Sequence, residues 1–192
     1  DPLEPCRLPT GLQADPYLKQ VIARAIEFGA RWRVAQDSEL TASVYRSENK
    51  DDILFRAVST TGLGYFSNFS RTRRQGVDLS VRTVLGPVNL YASYNYLDAT
   101  YQDEGELFGG ERNITVRSGT RIAGLPKHTV RIGADWRADP KLVVGGNVLA
   151  TSSLVTQGNE DGLIGEGEKV NANVKGYAIM NLHANYEASK GL

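Results

Sequence analysis

The stretch IEFGARWR, residues 26–33, poses the main question about the fold of this chain. Four apolar side chains alternate there with two arginines, a glutamate and a glycine: Ile26, Phe28, Ala30 and Trp32 against Glu27, Gly29, Arg31 and Arg33. Successive side chains of a β-strand point to opposite faces, so this alternation predicts a strand. The apolar face would rest on a core in a soluble sandwich, or on lipid in an outer-membrane barrel.

The composition narrows the class of protein. The chain has 192 residues, 41% of them hydrophobic, and a formal net charge of +0. Balanced charge argues against a nucleic-acid partner. No stretch approaches the roughly 18 apolar residues of a membrane-spanning helix. The chain lacks an initiator methionine and ends just after a strand pattern, so we expect it to be a piece of a longer protein.

The order of strands and loops favours a barrel. Alternating segments predict seven antiparallel strands in an all-β fold, at about 20–34, 39–47, 76–85, 89–101, 126–137, 142–151 and 176–187. Short turns follow the odd-numbered segments, and long polar stretches follow the even-numbered ones, at about 47–70, 102–125 and 152–175. Transmembrane barrels sort their loops in this way, with short periplasmic turns and long extracellular loops.

Aromatic side chains near the short turns support the same interpretation. They end the first, fifth and seventh segments on the apolar phase: Trp32, Trp136 and Tyr186. A lipid boundary selects such side chains because they are apolar in body and polar at the tip. We therefore expect a section of a transmembrane β-barrel in the outer membrane. The alternative from another class is a soluble secreted β-sandwich that acts as a binding module.

Several runs then resemble a known family. SNFSRTRRQGVDLSVR (67–82), YASYNYLDATYQ (91–102) and GTRIAGLPKHTVRIGADW (119–136) are similar, in order and spacing, to the barrel of TonB-dependent outer-membrane receptors. The resemblance implies a late part of a barrel of about 22 strands. It places residues 1–19 in the remnant of an extracellular loop and residues 20–192 in the barrel wall. The plug domain and the terminal strands would be absent from this chain.

The resemblance also implies a function. Such receptors are outer-membrane proteins of Gram-negative bacteria that import a scarce nutrient, usually a ferric siderophore. The implied partners are outer-membrane lipid, the small ligand and TonB, the last through a plug segment that this chain lacks. No enzymatic reaction and no cofactor are expected. A porin-like outer-membrane channel is the nearest alternative.

Candidate ligand-binding residues lie at the loop end of the predicted strands. One group is the arginine cluster of the third strand, which would either attract an anionic ligand or pair with carboxylates of a neighbouring strand: Arg71, Arg73 and Arg74. The other group surrounds the loop at 102–120, because long loops on a rigid scaffold collect binding residues. Its members are Tyr101, Asp103, Glu104, Arg112 and Arg117.

Other reactive residues suggest no metal or catalytic site. The acidic stretch at 156–169 lacks the spacing of a calcium loop. His128 and His183 lie on different strands, with no cysteine or acidic partner at ligand spacing. Cys6 is the single cysteine, and we expect it to form a disulfide with a segment absent from this chain.

Overall fold

The computed structural model describes residues 17–57, 64–108, 113–164, 168–169 and 173–188, and every helix or strand assigned among them is a β-strand. Seven strands form the main sheet: β1 (Ile22–Ala35), β2 (Ser38–Ala57), β3 (Gly64–Leu85), β4 (Val88–Tyr101), β7 (His128–Asp139), β8 (Leu142–Thr151) and β13 (Tyr177–Tyr186). Six shorter strands lie in the connections: β5 (Gly105–Phe108), β6 (Asn113–Val116), β9 (Leu154–Val155), β10 (Leu163–Ile164), β11 (Glu168–Lys169) and β12 (Asn173–Val174). The described residues contain no helix that is both long and apolar enough to cross a membrane.

The main sheet is an antiparallel meander. Its strands lie side by side in chain order, β1-β2-β3-β4-β7-β8-β13. Short turns join β1 to β2, β3 to β4 and β7 to β8, all at one end of the sheet, which we call the turn end. The connections at the opposite end, the loop end, carry the six short strands. The predicted all-β, antiparallel class is confirmed.

The strand register collects the apolar side chains on one face. Phe28 pairs with Val44, Val44 with Val77, and Val77 with Tyr96, so that one apolar row crosses four strands. No described element packs against this face, and Phe28 is 68% exposed. A soluble sandwich would cover such a face with a second sheet. An uncovered apolar face is what the barrel interpretation predicts, because the outer face of a membrane barrel is apolar.

Aromatic side chains mark both limits of this apolar band. Near the turn end the face carries the three predicted aromatic residues, Trp32, Trp136 and Tyr186. Toward the loop end, the ring of His128 lies 5.3 Å from that of Tyr96, and its Nδ1 lies 2.8 Å from the hydroxyl of Tyr94. The next paired row on this face is polar on β2, β3 and β4, at Arg46, Gln75 and Asp98, and apolar only at Ile26 on β1. Residues from this row to the loop end therefore lie outside the membrane-spanning part.

The other face of the sheet is polar, and one of its contacts crosses a strand. Nε2 of His183 on β13 lies 2.9 Å from Oδ1 of Asp135 on β7, although β8 separates these strands. The pair meets over Gly145 of β8, where an added Cβ would lie 2.2 Å from the Asp135 oxygen. Glycine at this position allows the two side chains to meet.

Two strands are longer than the sequence pattern predicts. The stretch at about 47–70 was predicted to be a loop, but β2 continues to Ala57 and β3 begins at Gly64. The register between these strands stays regular to the Ala57–Gly64 pair, apart from an unpaired position at Asp51. Beyond the apolar band neither face meets lipid, so hydrophobic alternation disappears while backbone pairing continues. That is why the pattern failed to show the extension.

The buried core lies at the loop end, on the polar side of the sheet. The hairpin of β5 and β6 folds over the ends of β3 and β4, and Ile114 and Val116 of β6 are fully buried. They belong to a cluster of seven buried hydrophobic side chains: Phe69, Ala99, Tyr101, Leu107, Ile114, Val116 and Ile122. This core holds the loop at 102–125 against the sheet wherever the structure describes it.

Candidate functional site

The β5–β6 hairpin forms one wall of the candidate site. It is anchored on the rings of Phe69 and Tyr101, whose centroids are 4.8 Å apart with the planes tilted by 59°. Tyr101 is only 3% exposed, and burial raises its pKa, with smaller contributions from the charges of Glu160 and Asp52. The phenol is therefore neutral at physiological pH. A hairpin held by buried rings presents its outer residues in a defined position.

A small cavity separates this core from the segment after β9. Its volume is about 210 Å³, and its lining includes Tyr101, Leu107, Ile114 and the carboxyl side chain of Glu160. The carboxylate accepts a hydrogen bond from the amide of Gly158 at 3.0 Å. Burial nevertheless raises the pKa of Glu160, because the apolar walls disfavour its charged form.

The raised pKa of Glu160 makes a prediction about pH. The folded state favours the protonated form of Glu160. The resulting contribution to stability is complete below the pKa that Glu160 has in the unfolded chain. This contribution is lost as the pH rises through the higher pKa of Glu160 in the folded state. We expect amide protection factors across residues 156–163 of the full-length protein to fall over that window. Glu160→Gln should remove this pH dependence, whereas Glu104→Gln, at an exposed position, should leave it unchanged. Protection factors of the wild-type protein that do not change with pH would contradict a raised pKa of Glu160.

A larger polar cleft opens beside the cavity, between the hairpin and the segment at 156–163. Its volume is about 570 Å³. The hairpin side supplies the amide of Asn113, the hydroxyls of Thr115 and Thr120 and the guanidinium of Arg117. The other side supplies the carboxylates of Glu160 and Asp161. Arg117 is exposed, and its guanidinium has no ion-pair partner among the described residues. We call this the loop-end cleft.

The three arginines of β3 do not form a free basic patch. Nη2 of Arg71 lies 2.6 Å from Oδ1 of Asp103, and Nε of Arg73 lies 3.2 Å from Oε1 of Glu48. Hydrogen bonding to Arg71 lowers the pKa of Asp103. Arg74 pairs with Asp52 at 3.2 Å. Of the two alternatives for these arginines, the structure therefore shows the one in which each guanidinium pairs with a carboxylate.

Asp52 holds the extended hairpin of β2 and β3 from the polar side. It is 8% exposed, and its Oδ2 accepts hydrogen bonds from the hydroxyl of Thr72 and from Arg74. Regular alternation would put Asp52 on the same face as Glu48. A positive φ of 54° at Asp51 turns the strand, so that Asp52 reaches the other face. The sequence shows no hydrophobic signal for this cluster.

Replacing Asp52 by alanine should loosen this hairpin. The change leaves the fully buried Thr72 hydroxyl without its acceptor and the Arg74 guanidinium, which still donates to Thr72 Oγ1, without its ion-pair partner, at an expected cost of about 3 kcal/mol. Hydrogen exchange across residues 47–57 of the full-length protein measures the effect. The matched control, Glu48→Ala, removes an exposed carboxylate from the same strand and should change exchange little. Equal exchange in the two variants would contradict a stabilising role for Asp52.

Comparison with known proteins identifies the architecture. A family model described as "TonB dependent receptor-like, beta-barrel" matches residues 6–192, which is almost the whole chain. The chain belongs to the TonB-dependent receptor family. Its sheet is a section of that family's outer-membrane barrel, with the turn end periplasmic and the loop end extracellular. The family assignment does not favour a porin-like channel or a soluble sandwich. No curated protein sequence matches significantly.

Solved TonB-dependent receptors share the fold at low identity. The ferric-catecholate import receptor Fiu from E. coli K12, in its closed form, is 18% identical with a TM-score of 0.61, over 90% of this chain and 22% of that one. The siderophore receptor PirA from Acinetobacter baumannii is 16% identical with a TM-score of 0.63, over 93% and 27%. The copper transporter OprC is 16% identical with a TM-score of 0.63, over 88% and 24%. The chain thus spans about a quarter of these structures.

The predicted site residues of this receptor section do not all meet in the loop-end cleft. Arg117 lines the loop-end cleft, whereas Tyr101 lies in the core beside the cavity. Asp103 pairs with Arg71, and Glu104 is exposed next to it. Arg112 and Cys6 lie outside the described residues. The ligand-binding roles of the other predicted residues and the disulfide of Cys6 stay predictions.

Sequence reasoning missed several residues of the cleft. Thr115 and Thr120 were not singled out, and Glu160 and Asp161 were considered only as ligands of a metal ion. Within the part of the chain that the structure describes, no three His, Cys, Asp or Glu side chains lie close enough together to hold a metal ion. The alternation in residues 113–116 was the available signal, because it marks the strand that carries Thr115.

Proposed function

We propose that the full-length protein binds a ferric siderophore at the extracellular loop end and imports it across the outer membrane. The observation that supports this proposal most directly is the loop-end cleft. The cleft opens on the polar side of a sheet that belongs to the barrel of the TonB-dependent receptor family. The energy would come from TonB through a plug segment. Two of the similar structures, Fiu and PirA, are named as receptors for ferric catecholates and siderophores.

The chemistry of the cleft suits an anionic chelate rich in oxygen atoms. Arg117 offers a guanidinium that no described carboxylate neutralises, and guanidinium donors bind oxyanions in a fixed geometry. Thr115 and Thr120 add hydroxyl donors on the same wall. The carboxylates of Glu160 and Asp161 on the opposite wall would accept hydrogen bonds from amide or hydroxyl groups of the ligand.

The proposed role involves no enzymatic reaction and needs no resident cofactor. The residues of the cleft would only bind the chelate, and the iron would be cargo. Specific binding follows from pre-organised groups, because the buried core under the hairpin fixes the position of Thr115 and Arg117 before a ligand arrives.

Uptake and binding by the full-length receptor test the proposal. Cells that make it should accumulate radioactive iron from at least one ferric siderophore of a chemically diverse panel, and dissipating the proton gradient should stop accumulation. Arg117→Ala should raise the Kd for that chelate at least about tenfold, since it removes hydrogen bonds to a charged group. Lys141→Ala, in a turn at the opposite end, should leave the Kd unchanged. If the receptor bound no chelate of the panel, or if uptake continued after the proton gradient was dissipated, the proposal would be overturned.

A further inference from the structure

Glu160 lies at the boundary between two spaces of different character. It is the one described residue that lines both the small cavity and the loop-end cleft. Strand β6 separates these spaces, because Ile114 faces the buried core whereas Thr115, the next residue, faces the cleft. The Glu160 side chain therefore meets apolar walls on one side and the candidate ligand-binding groups on the other.

The cavity compensates poorly for a charge on this carboxyl group. Tyr101, Leu107 and Ile114 are buried residues of its lining, and the phenol of Tyr101 is neutral at physiological pH. The described residues that line the cavity include no cation. The amide of Gly158 donates one hydrogen bond of 3.0 Å to the carboxylate. A carboxyl group in such surroundings takes up a proton more readily than one in water.

The charged groups around Glu160 do not stabilise its ionised form either. Asp161 places a second negative charge beside it, which adds to the effect of burial in raising the pKa of Glu160. Arg117 lines the same cleft, but no cation of the described residues lies within ion-pair distance of the Glu160 carboxylate. On the sheet, Asp52 and Arg74 pair with each other at 3.2 Å. The charge of Glu160 is therefore the least supported one in the cleft.

An anionic ligand would make the charge of Glu160 still less favourable. A chelate bound to Arg117 would lie between the two walls of the cleft and would face the carboxylates of Glu160 and Asp161. Like charges that approach in a partly desolvated site repel each other strongly. A proton on Glu160 would remove one of these repulsions. The protonated group would also keep an acceptor oxygen and gain an O–H donor for an oxygen atom of the ligand.

We propose that Glu160 takes up a proton from the solvent when an anionic ligand binds in the loop-end cleft, and that the affinity for such a ligand falls as the pH rises. The inference rests on the proposed function and adds to it the charge of the ligand and the residue that adapts the cleft to that charge. The direction follows from linkage, because the complex holds more protons than the free receptor and is therefore favoured at low pH. An uncharged ligand would leave the protonation of Glu160 unchanged.

Two matched variants of the full-length receptor test the proposal. Glu160→Gln has the shape of the protonated carboxyl group but cannot take up a proton, and Asp161→Asn removes the neighbouring charge of the same cleft wall instead. The wild-type protein and both variants are titrated in a nonionic detergent by isothermal calorimetry. The probes are an anionic ferric tris-catecholate chelate and an uncharged ferric trihydroxamate chelate. Titrations at about pH 6 and about pH 8 bracket the range in which a partly buried carboxyl group loses its proton. Two buffers of different ionisation enthalpy give the number of protons taken up on binding.

The wild-type receptor should bind the anionic chelate with proton uptake and at least about threefold more tightly at the lower pH, since one linked proton changes the affinity by up to about tenfold per pH unit. Glu160→Gln should lose both effects and should bind as tightly as the wild-type protein at the lower pH. Asp161→Asn should retain both effects.

Three results would overturn the proposal. The first is wild-type binding of the anionic chelate without proton uptake, a measurement that does not depend on how either variant folds. The second is equal proton uptake by the wild-type protein and Glu160→Gln. The third is binding of the uncharged chelate alone, which would leave the proposed import function standing. If neither chelate bound, the inference would also fail, whereas the proposed function would be decided by the whole siderophore panel.

Discussion

Full-length receptor that carries Gly76→Ala is expected to fail to assemble in the outer membrane. Gly76 lies on the polar face of β3, and an added Cβ would lie 2.0 Å from the backbone oxygen of Tyr96 and 2.6 Å from the hydroxyl of Tyr45. The Tyr45 side chain could move, but the carbonyl of Tyr96 belongs to the neighbouring strand β4 and cannot shift without opening the β3–β4 ladder. Overpacking of this kind costs about 1–3 kcal/mol or more.

Gly29→Ala is the matched control for this prediction. Gly29 also lies on the polar face, in β1, but the nearest atom to its added Cβ is Cβ of Ser43 at 3.3 Å, so a displacement of a few tenths of an ångström relieves the contact. We expect Gly29→Ala to reach the outer-membrane fraction in wild-type amounts and to keep the heat-modifiable mobility of a folded barrel in gel electrophoresis. Normal assembly of the Gly76 variant would show that β3 and β4 are less tightly joined than the structure indicates.

The second large effect is expected on the apolar face. Ala42→Arg places a charge inside the apolar band, in the row that joins Ala30, Ala42, Leu79 and Tyr94. A lipid-facing arginine near the bilayer midplane costs about 2–4 kcal/mol. We expect the full-length variant to show a lower free energy of unfolding in lipid vesicles by that amount, and to assemble poorly in cells.

Ser43→Arg provides the comparison at the same depth. Ser43 follows Ala42 on β2 and points to the polar face, where it pairs with Gly29 and with Asp78. An arginine there would meet the Asp78 carboxylate, so we expect little change in assembly or in the free energy of unfolding. If the two variants were equally impaired, or if Ser43→Arg were the worse, the assignment of the two faces would be wrong.

The strands within the apolar band could be predicted because their pattern is local. In residues 26–33, and again in residues 128–137, each side chain reports the environment of one face, and no distant residue is needed to interpret it. The same rule failed for residues 48–57. Residues 48–52 are all charged or polar and residues 53–55 are all apolar, so neither stretch shows the alternation that predicts a strand.

The candidate site was less accessible to sequence reasoning. Arg117 was singled out and lines the cleft, but the segment that forms the opposite wall comes from about 40 residues further along the chain. The basic run at Arg71–Arg74 was compatible with either an anion site or pairing with carboxylates, because its carboxylate partners are far away in sequence. Glu48 lies opposite Arg73 because of the register between β2 and β3, and Asp52 reaches Arg74 because the strand turns at Asp51.

Period-two alternation in this chain was therefore sufficient to assign an all-β fold, the apolar side of the strands and the end of the sheet that carries the long loops. The tertiary structure decided which charges are neutralised by ion pairs among the described residues, and that the carboxyl group of Glu160 is buried. The reason is physical. The face of a strand residue follows from its immediate neighbours, whereas burial and ion pairing depend on strand register and on loops that fold back from distant parts of the chain.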